Sequence, residues 1–301
     1  RAGFGIISAM QSFRINARPS SPTPRRAGAI LAALAMCGLP SNVRAEGLAK
    51  ADSELRPIAW CAAEAASGHI SIGRVKATHP VQNFEAKLGA EYVPLGYATA
   101  GVWSLTDLSR AYRDSRSAFW NEVDPVVTAG RRQALAEGYA LDASVGAQWN
   151  EMVGYRGDAR RSYDEWQVAT SLTTPLVTPW FAMRNFYWPV AKASFRVGVT
   201  RSFRLTENLS LAPNVWLDGG SERWNRQRFG YRRPERIGRG VNSLSARLFA
   251  VYRLHAHAEL YGGATGYCVT DPDVRAELKD NPSDEARHLH VVFTCGVKLA
   301  F

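Results

Sequence analysis

The last residues of the chain, 289–301, alternate between apolar and polar side chains over their whole length. One face of an extended chain would carry Leu289, Val291, Phe293, Cys295, Val297, Leu299 and Phe301. The other face would carry His288, His290, Thr294, Gly296 and Lys298, with Val292 as its one large apolar residue. Because successive side chains of a β-strand point to opposite sides, this pattern predicts a strand with one apolar and one hydrophilic face.

The same period of two recurs upstream and predicts about ten strands between residues 88 and 301. It is clear at 139–150, 191–205 and 244–254, and weaker at 91–104, 119–133, 165–174, 176–185, 209–218 and 258–269. The connections alternate in length. Short ones fall at 136–138, 174–175, 206–208 and 255–257, and longer ones at 105–118, 156–164, 186–190, 219–241 and 270–287. Short turns that alternate with long loops are typical of up-and-down membrane barrels.

The longest strongly apolar run, Ala27–Leu39, is too short to cross a membrane as a helix. A chain that crosses without helices must close its sheet, because lipid offers no hydrogen bonds to a free strand edge. We therefore predict an all-β, antiparallel up-and-down transmembrane β-barrel of about ten strands, or twelve if the region His69–Val75 joins the wall. A soluble β-sandwich would also alternate, but the graded loop lengths and the export segment argue against it.

Residues 25–45 have the three parts of an export signal. A basic start at Arg25-Arg26 precedes the apolar run, and Val43-Arg44-Ala45 fits the small-x-small rule for cleavage before Glu46. The expected organisation is an export signal region at 1–45, a periplasmic lead-in at 46–87 and a barrel at 88–301, with a short Ala-rich helix at 48–66. A buried amphipathic helix and a lipoprotein anchored at Cys37 are the alternatives for the apolar segment.

The alternating final strand that ends in Phe301 resembles that of bacterial outer-membrane β-barrel proteins as a class, and the resemblance covers about 88–301. It implies the outer membrane of a Gram-negative bacterium as the location. It also implies that Phe301, Leu299 and Val297 belong to a signal that the barrel-assembly machinery reads. The strand count looks a little like that of ten-stranded omptin proteases, but none of their motifs is found.

Charged residues on the hydrophilic faces are candidates for the lining of the lumen. They are Glu122, Asp124, Asp142, Glu165, Arg196, Arg204, Arg247, Arg253 and Lys298. Because a ten-stranded barrel is narrow, one interpretation is a neutralising network of ion pairs that fills it. The others are a charge-lined pathway for a small polar solute and a carboxylate pair that acts as general acid and base.

The predicted loop 219–241 carries seven arginines interleaved with aromatic residues: Arg223, Arg226, Arg228, Arg232, Arg233, Arg236 and Arg239. For an exported barrel the expected partner is outer-membrane lipid, and above all the phosphates of lipopolysaccharide rather than nucleic acid, because arginine binds phosphate bidentately. A merely solvated loop is the alternative. The acidic residues of 270–287 could pair with these arginines. Asp271-Pro272-Asp273 hints at calcium, but the full ligand spacing is missing.

Three functions remain open from the sequence: a narrow channel or structural surface protein, a hydrolase embedded at the outer rim, and a receptor or adhesin whose loops bind a ligand. No serine-centred elbow, phosphate loop or zinc motif occurs, so we expect no metal or cofactor, and an enzyme is the less favoured class. His288 and His290 could belong to a protease site or simply fill the lumen. A disulfide between Cys268 and Cys295 also stays open, because register cannot be read from sequence.

Overall fold

The structure, a computed structural model, describes residues 54–71, 74–93, 95–108, 122–150, 163–186, 191–281 and 287–301. The strands are β1 Leu55–Ala66, β2 His69–Ser71, β3 Arg74–Ala77, β4 Val81–Tyr92, β5 Gly96–Asp107, β6 Glu122–Ala136, β7 Tyr139–Asn150, β8 Tyr163–Thr173, β9 Thr178–Phe186, β10 Lys192–Thr200, β11 Phe203–Arg204, β12 Leu209–Gly220, β13 Gly240–His255, β14 Ala258–Val269 and β15 Leu289–Ala300. The helices are α1 Glu222–Phe229 and α2 Pro272–Asp280, with a short 3-10 turn at Pro234–Arg236. The predicted export segment lies outside the described residues.

Twelve of these strands form a closed antiparallel barrel. Each wall strand pairs with the next wall strand in the chain, and β1 pairs with β15 between the two ends of the sequence. The strands β2 and β3 form a separate hairpin, and β11 adds two residues beside β12. The predicted fold class is confirmed, with the larger of the two predicted strand numbers.

The two ends of the barrel differ in the length of their connections. At one end, which we call the turn end, the strands are joined by residues 93–95, 137–138, 174–177, 201–208 and 256–257. Gly138 has a φ of 76°, which a two-residue turn between strands requires and which glycine adopts without steric cost. The opposite end, which we call the loop end, carries the longer connections, including those that contain β2–β3, α1 and α2.

The wall is apolar outside and polar inside. On β15, Leu289, Val291 and Phe293 are exposed on the outer surface, whereas Val292 between them is 5% exposed. The same alternation exposes Val197 and Leu248 on other strands. A closed sheet satisfies every backbone group in lipid and presents an apolar outer band, so the predicted division of faces on the final strand is confirmed. No helix among the described residues is long and apolar enough to span a membrane.

The prediction for residues 46–87 was wrong, because two wall strands begin in that range. Residues 55–66 form β1 rather than a helix, and residues 81–92 form β4. Most of the predicted strand at 91–104 lies in β5, whereas its first residues belong to β4, and His69–Val75 lies in the hairpin, not the wall. Alanine favours helix, but pairing of β1 with both β15 and β4 overrides that weak preference.

The loop end is covered by segments that pack on one another. Phe229 of α1, Val274 and Leu278 of α2 and Val269 of β14 belong to one cluster of buried side chains. Ile70 of β2 packs against that cluster and against a second one around Trp103 on the inner wall. We call α1, α2 and the β2–β3 hairpin the cap.

The cysteines do not form the disulfide that the sequence left open. Cys268 lies opposite Leu289 in the ladder, whereas Cys295 lies opposite Gly262. Six residues of β15 therefore separate the two positions, about 20 Å of strand, which is far beyond the reach of a disulfide. Cys61, Cys268 and Cys295 are free thiols.

Candidate functional site: the lumen

Charges of opposite sign line opposite halves of the lumen. Among the described residues, the half formed by β1 and β4–β8 carries seven inward acidic residues against three inward basic ones: Glu64, Glu85, Glu91, Glu122, Asp124, Asp142 and Glu165 against Arg56, Lys87 and Arg132. In the described part of the other half, formed by β9, β10 and β12–β15, six inward basic residues face two acidic ones: Arg184, Lys192, Arg196, Arg247, Arg253 and Lys298 against Asp218 and Glu259. This arrangement produces an electric field across the lumen.

A chain of hydrogen bonds connects the acidic half to the basic half. Gln148 Nε2 donates to Asp124 Oδ2 at 2.7 Å, and Gln167 Nε2 donates to Gln148 Oε1 at 2.8 Å and to Glu165 Oε1 at 2.7 Å. Arg184 Nη1 lies 3.2 Å from the same Glu165 oxygen. All five side chains are less than 9% exposed, so each bond acts in a medium of low dielectric.

A second ion pair fixes one arginine of the basic half. Arg196 Nε donates to Asp218 Oδ1 at 2.6 Å, and Trp216 Nε1 donates to Asp218 Oδ2 at 3.0 Å. The guanidinium of Arg196 also lies 5.8 Å from the centroid of the Trp216 ring. These contacts satisfy both carboxylate oxygens and hold the arginine against the wall.

An internal cavity of about 100 Å³ lies between the two halves, beneath the cap. Its lining includes Glu64 and Asn83 from the acidic half and Arg196 and Arg247 from the basic half. His69 lies on the loop side of the cavity. The cavity is therefore polar and bordered by both signs of charge.

The structure places all but one of the predicted lumen charges on the inner face of the barrel. Glu122, Asp124, Glu165 and Arg196 are buried, while the half-buried Asp142, Arg247 and Lys298 also face inward. Arg204 is exposed in β11, where its guanidinium donates to the carbonyls of Thr206 and Glu207. Arg253 faces inward by its register opposite Glu259, but it is exposed at the turn end of β13. Arg204 was misassigned because strand periodicity does not show where a strand leaves the wall.

Sequence reasoning missed several charged lumen residues, of which four form ion pairs or line the cavity. Glu64 and Glu85 lie on β1 and β4, in the segment that was predicted to precede the barrel. Arg184 lies on β9 and Asp218 on β12. The alternation of Val81–Lys87, whose odd-numbered residues are all buried, is the signal that could have found Glu85.

The arginine-rich loop divides into internal and exposed residues. Arg226 binds the carbonyls of Ile237 and Glu235, and Arg228 is buried with its guanidinium 5.8 Å from the Trp224 ring centroid. The exposed arginines are Arg223, Arg232, Arg233, Arg236 and Arg239. Their binding to lipopolysaccharide phosphates stays a prediction, which unchanged binding after neutralisation of these five residues would contradict.

Glu277 of α2 joins the acidic loop to the arginine-rich loop. Its carboxylate accepts hydrogen bonds from the backbone N–H groups of Tyr231 and Arg232 at 2.7 Å and of Arg233 at 2.9 Å. Burial by itself raises the pKa of Glu277, but the three N–H donors outweigh it, so its pKa lies below the ordinary value. Glu277 therefore joins the two loops through backbone donors and not through the arginine side chains that the sequence suggested.

The cap should loosen in acid because this carboxylate must be ionised to accept three donors. With a depressed folded pKa, its contribution is complete above the ordinary Glu pKa of about 4.3 and is lost as the pH falls through the lower folded value. We expect limited proteolysis of the two cap loops, 221–239 and 270–281, to be slow from pH 5 to pH 8 and to accelerate below about pH 4. Glu277→Gln should be cleaved several-fold faster already at pH 7, whereas Glu222→Gln, which removes an exposed carboxylate of α1, should not. Equal cleavage of the two variants would contradict this role.

Asp271 caps the N-terminus of α2, where its side chain accepts from the backbone N–H groups of Asp273 and Val274. This explains the Asp-Pro-Asp sequence without a calcium ion. Among the described residues, no group of three or more His, Cys, Asp or Glu side chains is arranged to hold a metal. His290 is half-buried, faces inward and lies opposite Tyr267 in the ladder.

No family model matches this chain, and no curated protein sequence does either. Similar solved structures include the KdgM porin, with 7% identity over 82% of this chain and 99% of that chain at a TM-score of 0.42. An outer membrane channel from Pseudomonas putida F1 has 9% identity over 84% of this chain and 99% of that chain at a TM-score of 0.44. The transport unit of the autotransporter AIDA-I from Escherichia coli has 12% identity over 92% and 97% at 0.41.

Proposed function

We propose that the chain is an outer-membrane protein and that its barrel is a narrow channel for small polar solutes. The observation that carries this proposal is the lumen, whose two halves present opposite charge to each other across a polar interior. An ion that enters such a lumen leaves bulk water but meets fixed charges and dipoles that replace part of its hydration. The apolar outer band supports the membrane location.

The alternative of a barrel that is merely plugged by ion pairs fits part of the lumen. The ion pairs Lys87–Glu85, Arg184–Glu165 and Arg196–Asp218 are of this kind. The internal cavity fits a channel better, because a filled interior would leave no room between the two halves. A hydrolase has no comparable support among the described residues, where His290 faces Tyr267 rather than a carboxylate partner in the ladder.

Single-channel recording in planar bilayers tests the proposal. The refolded protein should give small, discrete conductance steps in potassium chloride. The absence of conductance at every voltage would contradict a channel and leave a structural surface protein.

Ion selectivity should depend on the acidic half of the lumen. Asp124→Asn removes one buried charge yet keeps an oxygen that can accept from Gln148 Nε2. In a water-like lumen, one charge about 8 Å from the ion path contributes about 0.5 kcal/mol, so its loss should disfavour cations and favour anions by about twofold each and lower the ratio of cation to anion permeability by about fivefold. The reversal potential in a salt gradient measures this shift. The matched control is Glu207→Gln, which removes an exposed charge from the turn 201–208 and should leave the reversal potential unchanged.

A further inference from the structure

The internal cavity is bordered on its loop side, on its turn side and by charged residues from both halves of the lumen. Ile70 and His69 of the cap border it on the loop side, and Phe249 borders it toward the turn end. Its volume of about 100 Å³ would hold about three water molecules, which is also the scale of a very small organic molecule. Side chains from both halves of the lumen line this cavity.

Arg247 offers an unused hydrogen-bond donor to this space. Among the residues that the structure describes, its buried Nε has no hydrogen-bond partner. Its guanidinium lies 4.9 Å from the centroid of the Phe249 ring. Because a buried donor of a charged group is costly to leave unmatched, the site favours an anionic group such as a carboxylate.

Hydrogen-bond acceptors line the same cavity on the side of the acidic half of the lumen. Glu64 is held in place by Asn83 Nδ2, which donates to it at 2.9 Å, and by the Tyr261 hydroxyl, which donates at 3.4 Å. The buried Oδ1 of Asn83 has no hydrogen-bond partner among the described residues. A cationic donor such as an ammonium group matches this side, because it can approach a carboxylate and an amide oxygen together.

We propose that this cavity binds a small zwitterionic α-amino acid of about the size of glycine. The carboxylate would accept from Arg247, and the ammonium group would donate to Glu64 and to Asn83 Oδ1. Arg196 is already paired with Asp218, so the remaining charges of the site are one positive and one negative, which match a zwitterion in number. The inference rests on the proposed function in that the solute must reach the cavity through the lumen.

Equilibrium binding of radiolabelled glycine to the detergent-solubilised barrel tests this site. Glycine should bind, and acetate or methylamine at the same concentration should compete poorly because each carries one of the two charged groups. Arg247→Met and Glu64→Gln should each weaken glycine binding by about tenfold or more, as expected for loss of a hydrogen bond to a charged group. Arg247→Lys keeps the charge without Nε and should be intermediate.

Arg204→Met is the control, since it removes an exposed arginine in β11, outside the lumen, and should leave binding unchanged. Folding of each variant is checked by heat-dependent gel migration, and the competition experiment needs no variant. The proposal is overturned if wild-type protein does not bind glycine, or if acetate competes as well as glycine. Conductance without glycine binding would remove only this site, whereas glycine binding without conductance would remove only the channel.

Discussion

Replacement of Leu248 by arginine should destabilise the membrane-embedded barrel by about 2–4 kcal/mol. Leu248 is 53% exposed on the outer surface and lies opposite Ala264 near the middle of β14, so its side chain faces the centre of the apolar band. An arginine there must carry its charge into hydrocarbon or bend toward a distant headgroup. The free energy of unfolding in lipid vesicles, from reversible denaturant titration, measures the loss.

The control for this prediction lies on the same strand. Leu254 is 56% exposed and is the last residue but one of β13, at the turn end. Arginine at that depth reaches water and headgroups easily, so Leu254→Arg should cost only about 0–1 kcal/mol. If both substitutions cost the same, the outer surface of β13 does not face lipid, and the transmembrane assignment would be wrong.

Removal of Arg184 should cost about 3–5 kcal/mol, because it leaves a buried carboxylate without its cation. The side chains of Arg184 and Glu165 are 5% and 0% exposed, and their charged atoms lie 3.2 Å apart. Arg184→Met keeps much of the volume while it removes the charge. Denaturant titration in detergent, followed by tryptophan fluorescence, gives the change in unfolding free energy.

Two further variants separate the ion pair from other effects of the substitution. In Glu165→Gln/Arg184→Met the uncompensated charge is gone, so most of the lost stability should return. Arg132→Met breaks a pair with Asp142 whose side chains are 37% and 22% exposed, and should cost no more than about 1 kcal/mol. A double variant as unstable as Arg184→Met alone would show that packing rather than charge is responsible.

The alternation of residues along the chain was sufficient to predict the fold class. On 289–301 each side chain was assigned to the correct face, because a strand has a period of two and lipid and lumen differ sharply in polarity. The same reasoning placed Glu122, Asp124, Glu165 and Arg196 in the interior, where they are buried. It was insufficient for β1, whose run of alanines gives little contrast between its faces.

Only the tertiary structure determines which residues of different strands and loops lie near each other. The cavity brings Glu64 of β1 near Arg247 of β13, two residues that are adjacent only because the sheet closes between β1 and β15. Likewise Glu277 meets the backbone of Tyr231 through the packing of two loops. Period and polarity along the sequence determine which side of a wall a residue occupies, whereas closure and loop packing determine which residues face each other across the lumen.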